Sequence, residues 1–142
     1  MKTRTLALVA IAIMIAVQFG AAGEKGKKFA TADEKVAYAT KNLMKGLNST
    51  NPGVVEASIR LTAQMKMRFP DTDVTALQDV LNAISTNHKS GCVRYQAYIA
   101  SNICSDPSWF SNDESVVTAE QENFFRAASN RLQQRLYTTN IN

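Results

Sequence analysis

Apolar positions along this chain form one unbroken run and then a series of helical stripes. Leu6 to Val17 is apolar at every position. Beyond it the spacing changes to three and four residues, the repeat of a helix with one buried face. Val36, Ala39, Leu43 and Leu47 share a face of a helix predicted over Ala32 to Leu47. Thr31-Ala32-Asp33-Glu34 has the Thr-x-x-Glu form of a capping box at its start. Asn48-Ser49-Thr50-Asn51 interrupts the stripe. Asn51-Pro52 then reads as N-cap and first-turn proline of a second helix. That helix is expected to end near Arg68, because Phe69 precedes Pro70 and is pushed out of the α region. Asp71-Thr72-Asp73 is expected to cap a third helix from about Val74 to Thr86, with Leu77, Val80, Leu81 and Ile84 inward. Asn87 to Gly91 reads as a loop, and a fourth helix follows from about Cys92 to Cys104. Asp106-Pro107 starts a short turn carrying Trp109 and Phe110, and Ser111 to Ser115 reads as a loop. A last helix is predicted from about Val117 to Tyr137, with Phe124, Ala128, Leu132 and Leu136 as its stripe. Glu120 and Glu122 lie near its start and Arg126, Arg131 and Arg135 towards its end, as the helix dipole favours. No segment alternates as a strand does, so the predicted class is all-α.

The stripes repeat. Helices one and three share Leu-x-x-x-Leu-Asn, at Leu43 with Leu47-Asn48 and at Leu77 with Leu81-Asn82. On a helical wheel Val55, Ile59 and Thr62 of the second helix fall in one arc, and Val93, Ala97 and Ala100 of the fourth match them. A second arc, turned by about a quarter of the circle, holds Val54, Ser58, Leu61 and Met65 in one helix. Its counterpart in the other holds Cys92, Gln96, Ile99 and Ile103. A helix apolar on two sides belongs to an inner layer rather than to a surface. Two helix pairs with this spacing suggest stacked repeats.

This arrangement resembles HEAT-type repeats. There an outer helix ends in Leu-x-x-x-Leu, a short Asn/Gly/Pro loop follows, and an inner helix opens Val-Arg-x-x-Ala. Val93-Arg94-Tyr95-Gln96-Ala97 fits that opening. Val55-Glu56-Ala57-Ser58-Ile59 keeps its apolar positions but has Glu56 in place of the arginine. The stretch from Asn42 to Ser49 also resembles small exported bacterial HEAT-like proteins of unassigned function. The resemblance extends over Thr31 to Ser105. It implies two antiparallel helix pairs forming a short right-handed α-solenoid over residues 31–110, closed by a C-terminal capping helix and tail over residues 111–142. It also implies that the inner-helix ridge is a concave binding face. A tetratricopeptide unit competes, because Glu56-Ala57 through Phe69-Pro70-Asp71 resembles its second helix. A plain five-helix bundle is the simpler alternative.

The apolar run changes the picture in a different way. Lys2 and Arg4 precede it, and Gly20-Ala21-Ala22-Gly23 supplies small residues after it. Charge, apolar core and small-residue exit predict a secretory signal peptide over residues 1–22, cleaved after Ala22. A membrane span would need roughly 20 apolar residues. No cysteine follows the cleavage site to carry a lipid, so no stable membrane anchor is expected after cleavage. Residues 23–30 read as a flexible Lys-rich linker. The expected location is periplasmic or extracellular.

Charge then narrows the partners. The whole chain has 16 Lys+Arg against 12 Asp+Glu. From Phe29 onward the count is 11 against 11, so the folded part offers no electrostatic footprint for nucleic acid.

Candidate chemistry is sparse. His88 is the single histidine, placed in a polar loop, and no His or Cys sits at metal-ligand spacing. No phosphate loop, Gly-x-Ser-x-Gly or His-Glu-x-x-His occurs. Asp71 and Asp73 are accounted for as cap residues. Cys92 and Cys104 lie within one predicted helix, separated by roughly 18 Å of rise, too far for a disulfide. The expectation is two free thiols, with Cys92 buried in its apolar arc. Trp109 and Phe110 are expected to cover the end of the core.

One surface remains. The arc opposite the core carries Glu56, Arg60 and Gln64 on the second helix, and Arg94, Tyr98 and Asn102 on the fourth, with Tyr95 beside them. Tyr and Arg carry binding energy well at interfaces. Arg60, Gln64, Arg94, Tyr95, Tyr98 and Asn102 are therefore the candidate protein-binding residues. The sequence is read as a non-catalytic, monomeric adaptor or scaffold for an unidentified envelope or secreted protein, with no metal or cofactor. A small ligand held between the last helix and the ridge is the alternative.

Overall fold

Thr31 opens the first helix in the computed structural model, which describes residues 31–139. The predicted signal peptide and the predicted linker lie outside the described residues. Helix α1 spans Ala32–Leu47, and Thr31 Oγ1 accepts from the Glu34 amide at 3.2 Å. Asn48 closes it, its side-chain amide donating to the Met44 carbonyl at 2.8 Å. Helix α2 spans Pro52–Arg68. Asn51 Oδ1 accepts from the amides of Gly53 and Val54, and Pro52 occupies the first turn. It ends at Phe69, before Pro70, where the proline ring excludes α backbone.

Helix α3 spans Thr75–Asn87 and α4 spans Gly91–Ser105. The third helix starts one residue later than predicted. Asp73 Oδ1 accepts from both the amide and the hydroxyl of Thr75, at 2.9 and 2.7 Å, which leaves Val74 as an N-cap without a side-chain bond. Ser90 caps α4 through the Val93 amide.

The C-terminal part differs from the sequence expectation. The segment expected to be turn and loop forms two short helices, α5 over Pro107–Ser111 and α6 over Glu114–Val117. The last helix, α7, begins at Phe124 and runs Phe124–Thr139, so Val117 to Asn123 is not its first turns. Local hydrogen bonds mark the bounds of α6. Asp113 Oδ1 accepts from the Ser115 amide at 2.9 Å and starts α6, while the Thr118 hydroxyl turns back onto the Glu114 carbonyl at 2.8 Å. All regular structure among the described residues is helical, and none of these helices is long and apolar enough to cross a membrane.

Packing follows the two-arc pattern. Helix α2 lies against α1 and α4, and α4 lies against α3 and α2, so these two helices are the middle of the assembly. Val55, Ile59, Thr62, Ser58, Leu61 and Met65 of α2 are all buried, as are Val93, Ala97, Ala100, Ile99 and Ile103 of α4. The buried Thr62 and Ser58 hydroxyls are satisfied by carbonyls one turn earlier, at 2.8 and 2.6 Å. They therefore add no unpaired polar group to the core. The repeated leucines Leu43, Leu47, Leu77 and Leu81 are also buried. A polar clamp joins α3 to α4: Ser101 Oγ donates to Asn82 Oδ1 at 2.6 Å, and Gln78 Nε2 donates to Ser105 Oγ at 2.7 Å. Helix α5 packs on α2 and α4, and α7 packs on α4 and α6.

Two apolar assignments need correction. Cys92 is exposed, because it sits in the first turn of α4 beyond the end of its buried arc. Leu136 is 53 % exposed, because the buried stripe of α7 stops at Leu132 and the final turns extend past the neighbouring helices.

Candidate functional site

The six candidate residues divide among three situations. Tyr98 is the plain surface member, 46 % exposed on α4. One turn away Asn102 is half-buried, and its side-chain amide donates to the Tyr98 carbonyl at 2.9 Å, which ties it to its own helix. Arg94 lies one turn before Tyr98 but points to the helix start. Its Nη1 donates to the His88 carbonyl at 2.6 Å and to that of Lys89 at 3.3 Å. Arg94 thus closes the α3–α4 loop. The same loop is braced by His88, whose Nδ1 accepts from the Ser90 amide at 3.1 Å.

Tyr95 is 49 % exposed, yet its hydroxyl lies 2.6 Å from Ser129 Oγ of α7. The last helix therefore borders the ridge at Tyr95 and leaves Tyr98 beside it open to solvent. A large aromatic with an apolar body and a polar tip at the edge of a covered surface is well placed for contact with another molecule.

Arg60 and Gln64 sit elsewhere, in a cleft roofed by the connection between α6 and α7. A cavity of about 220 Å³ is lined by Arg60, Gln64 and Arg68 on one wall and by Val117, Glu120 and Gln121 on the other. A second cavity of about 140 Å³ shares Gln64, Arg68 and Val117 and adds Met67, Val116 and Phe124. Arg60 Nε is buried and has no hydrogen-bond partner. Burial lowers the affinity of this guanidinium for its proton below the ordinary arginine value. An arginine nonetheless stays charged in proteins, so Arg60 carries a partly desolvated positive charge without a matched acceptor.

The structure separates the sequence-predicted ridge accordingly. Tyr95, Tyr98 and Asn102 lie together on α4, Arg60 and Gln64 face the cleft, and Arg94 is used in the loop. Val117, Glu120 and Gln121, which complete the cleft, were not singled out by sequence because that stretch reads as the start of a continuous helix. A third, open cavity of about 920 Å³ lies between α1 and the α2–α3 loop, with Val36, Met44 and Phe69 among its walls.

The other candidates have structural places. Asp73 and Asp113 accept hydrogen bonds next to helix starts, and these hold both carboxyls below the usual carboxylate range. Cys104 is buried, and desolvation pushes its thiol up to about 12. Trp109 is half-buried against the core, and Phe110 is fully buried. Among the described residues no group of three or more His, Cys, Asp or Glu is arranged to hold a metal ion. Compared with known proteins, the chain matches no family model, no curated protein and no solved structure.

Proposed function

We propose that this chain is an exported, non-catalytic binding protein, an adaptor or scaffold built from HEAT-like helix pairs. Its binding face is the exposed arc of α4 together with the adjoining cleft on α2. The observation that carries the reading is the pairing of burial and exposure on α4. Two arcs of this helix are packed against α2 and α3, while the remaining arc presents Tyr95 and Tyr98 to solvent. Aromatic side chains on a rigid inner helix supply contact area at low entropic cost, the property expected of interface anchors. The order of packing, with α2 and α4 inside and α1 and α3 outside, supports a short solenoid closed by the C-terminal helices. The partner is an unidentified envelope or secreted protein, and the chain acts as a monomer.

The test is affinity capture from envelope extract with wild-type protein and with Tyr98→Ala, followed by identification of what is retained. The reading expects a specific protein that is lost with the variant. Identical capture by both forms would remove the ridge from the interface. The alternative, a small ligand held between the last helix and the ridge, finds its nearest match in the cavity of about 220 Å³ that Arg60 and Gln64 line together with Val117 and Glu120.

A further inference from the structure

The open cavity of about 920 Å³ beside α1 is a groove with an apolar floor and a charged rim. Val36, Thr40 and Met44 recur every four residues and so lie in line along α1. Phe69 and Pro70 of the α2–α3 loop form the opposite wall. Val36, Met44 and Phe69 are each only partly buried. The loop is a fixed wall. Lys66 Nζ donates to the Pro70 and Thr72 carbonyls at 2.5 and 2.7 Å, and the Thr72 amide donates to the Phe69 carbonyl at 3.0 Å.

The rim changes sign along its length. Asp33 stands in the first turn of α1 and Lys45 in the last, with Lys41 one turn before it. Leu47 and Asn48, at the end of α1, share a different cavity with Ile84, Asn87 and His88, at the end of α3. The start of α3, and with it Asp71 and Asp73, therefore lies towards the Asp33 end. Arg68 adds one positive charge there against three carboxylates. Asp33, Asp71, Lys41 and Lys45 are exposed, and among the described residues none of the four forms an ion pair.

The chain carries a segment that matches this groove. Residues 23–30, Gly-Glu-Lys-Gly-Lys-Lys-Phe-Ala, directly precede Thr31 and lie outside the described residues. Ala32 and Asp33 already line the groove, so the segment is tethered at the acidic end. Read back from Thr31, it offers an aromatic at Phe29, then bases at Lys28 and Lys27, and finally an acid at Glu24. Laid along α1 in that direction, its bases meet the acidic end of the rim and its acid meets the basic end. The length suffices. From Thr31 to Glu24 the chain reaches up to about 25 Å, and Asp33 and Lys45 are about 18 Å apart along the helix axis.

We propose that residues 23–30 of the mature chain occupy this groove in cis, antiparallel to α1, with Phe29 between Val36 and Phe69, Lys27 and Lys28 at Asp33 and Asp71, and Glu24 at Lys45. Tethering makes the association intramolecular, with an effective concentration on the order of millimolar, so modest contacts are enough to hold it. The segment is then a strap over the α1 groove rather than a linker. The inference is independent of the binding face on α4.

The test is nuclear Overhauser spectroscopy on the chain from residue 23 to 142. The ring protons of Phe29 should show cross-peaks both to the Val36 methyls and to the ring of Phe69. Cross-peaks to neither, or to Val36 alone, would overturn the proposal, the second because Phe29 would then pack only on its own helix. Phe29→Ser should lower the melting temperature by roughly 2–6 °C, the shift that a modest apolar contact produces in a domain of this size. An unchanged melting temperature would count against the contact. Reversing charge with Lys27→Glu and Lys28→Glu together should weaken the cross-peaks, and adding Asp71→Lys should restore part of them. Cross-peaks indifferent to both changes would overturn the assigned direction. Cross-peaks that arise only between labelled and unlabelled chains in a mixed sample would make the occupant the segment of a second copy, and the assignment in cis would fall.

Discussion

Trp109 and Arg131 hold each other by main chain and side chain at once. The guanidinium of Arg131 lies 3.9 Å from the centre of the indole ring. Its Nε donates to the Trp109 carbonyl at 3.0 Å, and the indole Nε1 donates back to the Arg131 carbonyl at 3.4 Å. Arg131 also lies 3.6 Å from an Asp113 carboxylate oxygen. These contacts fasten α7 to α5 and to the start of α6. They thereby fix where the connection into α7 passes over α2, which is what forms the roof of the cleft.

Arg131→Ala should destabilise the fold by about 1–3 kcal/mol, the sum expected for a stacked cation and a charge-assisted hydrogen bond. Arg131→Lys should recover only part of that, because an ammonium cannot both stack and present the guanidinium fork. Chemical unfolding of the two variants checks this. Wild-type stability in the lysine variant would mean that the ring contact contributes nothing.

The two cysteines should behave as opposites. Cys92 is exposed, and Cys104 is buried with its thiol pushed up to about 12. In native protein at mildly alkaline pH, a thiol reagent should label Cys92 rapidly and Cys104 only after denaturant is added. The sign of the pH effect follows from the raised value. Cys104 contributes its full stability below the unfolded thiol value of about 8.5. That contribution is lost as pH rises from there towards 12. A native disulfide between the two, found by non-reducing mass analysis, would contradict the intact α4.

Core and ridge should separate in a stability assay. Leu81→Ala removes a fully buried side chain and should cost about 2–5 kcal/mol. Tyr98→Ala removes a half-exposed one and should stay within about 0.5 kcal/mol. Arg94→Ala should fall between them, because it leaves the His88 and Lys89 carbonyls without their donor. Calorimetric scanning of the three variants measures the order. If Tyr98→Ala unfolds as readily as Leu81→Ala, the exposed arc of α4 is not a free surface.

Acid should weaken the fold through Asp113 and Asp73. Hydrogen bonds from Ser115 hold Asp113 below the usual range, with the nearby Arg131 charge adding to the effect. Backbone and side-chain bonds from Thr75 do the same for Asp73. Both contributions are present above the unfolded aspartate value of about 3.9 and are lost as pH falls through the lower folded values. Asp113→Asn should therefore show a flatter melting temperature against pH below about 4 than the wild type. Parallel curves would mean that the carboxylate charge is not used.

The proposed export makes a separate prediction. Protein recovered from the periplasm or medium should have its N-terminus near Gly23. An intact Met1 in a membrane fraction would reject cleavage.

What could be read from the chain alone was whatever depends on near neighbours. Asn51-Pro52, Thr31 and Phe69-Pro70 mark helix ends because capping and proline sterics act within a few residues; α1 begins after Thr31, and α2 begins after Asn51 and ends before Phe69. The double apolar arcs of α2 and α4 identified the inner helices, because a helix must bury whatever apolar faces its spacing creates. The same reasoning failed where an outcome depended on distant chain. Leu136 continues the α7 stripe but stays 53 % exposed, and Cys92 belongs to an apolar arc yet is exposed. Arg94 and Arg60 looked alike on a helical wheel. One closes a loop, and the other is enclosed only because residues 117–121 return across α2. Periodicity states which face of a helix can be buried. Only the tertiary structure decides what covers it, because that depends on contacts between segments far apart in sequence.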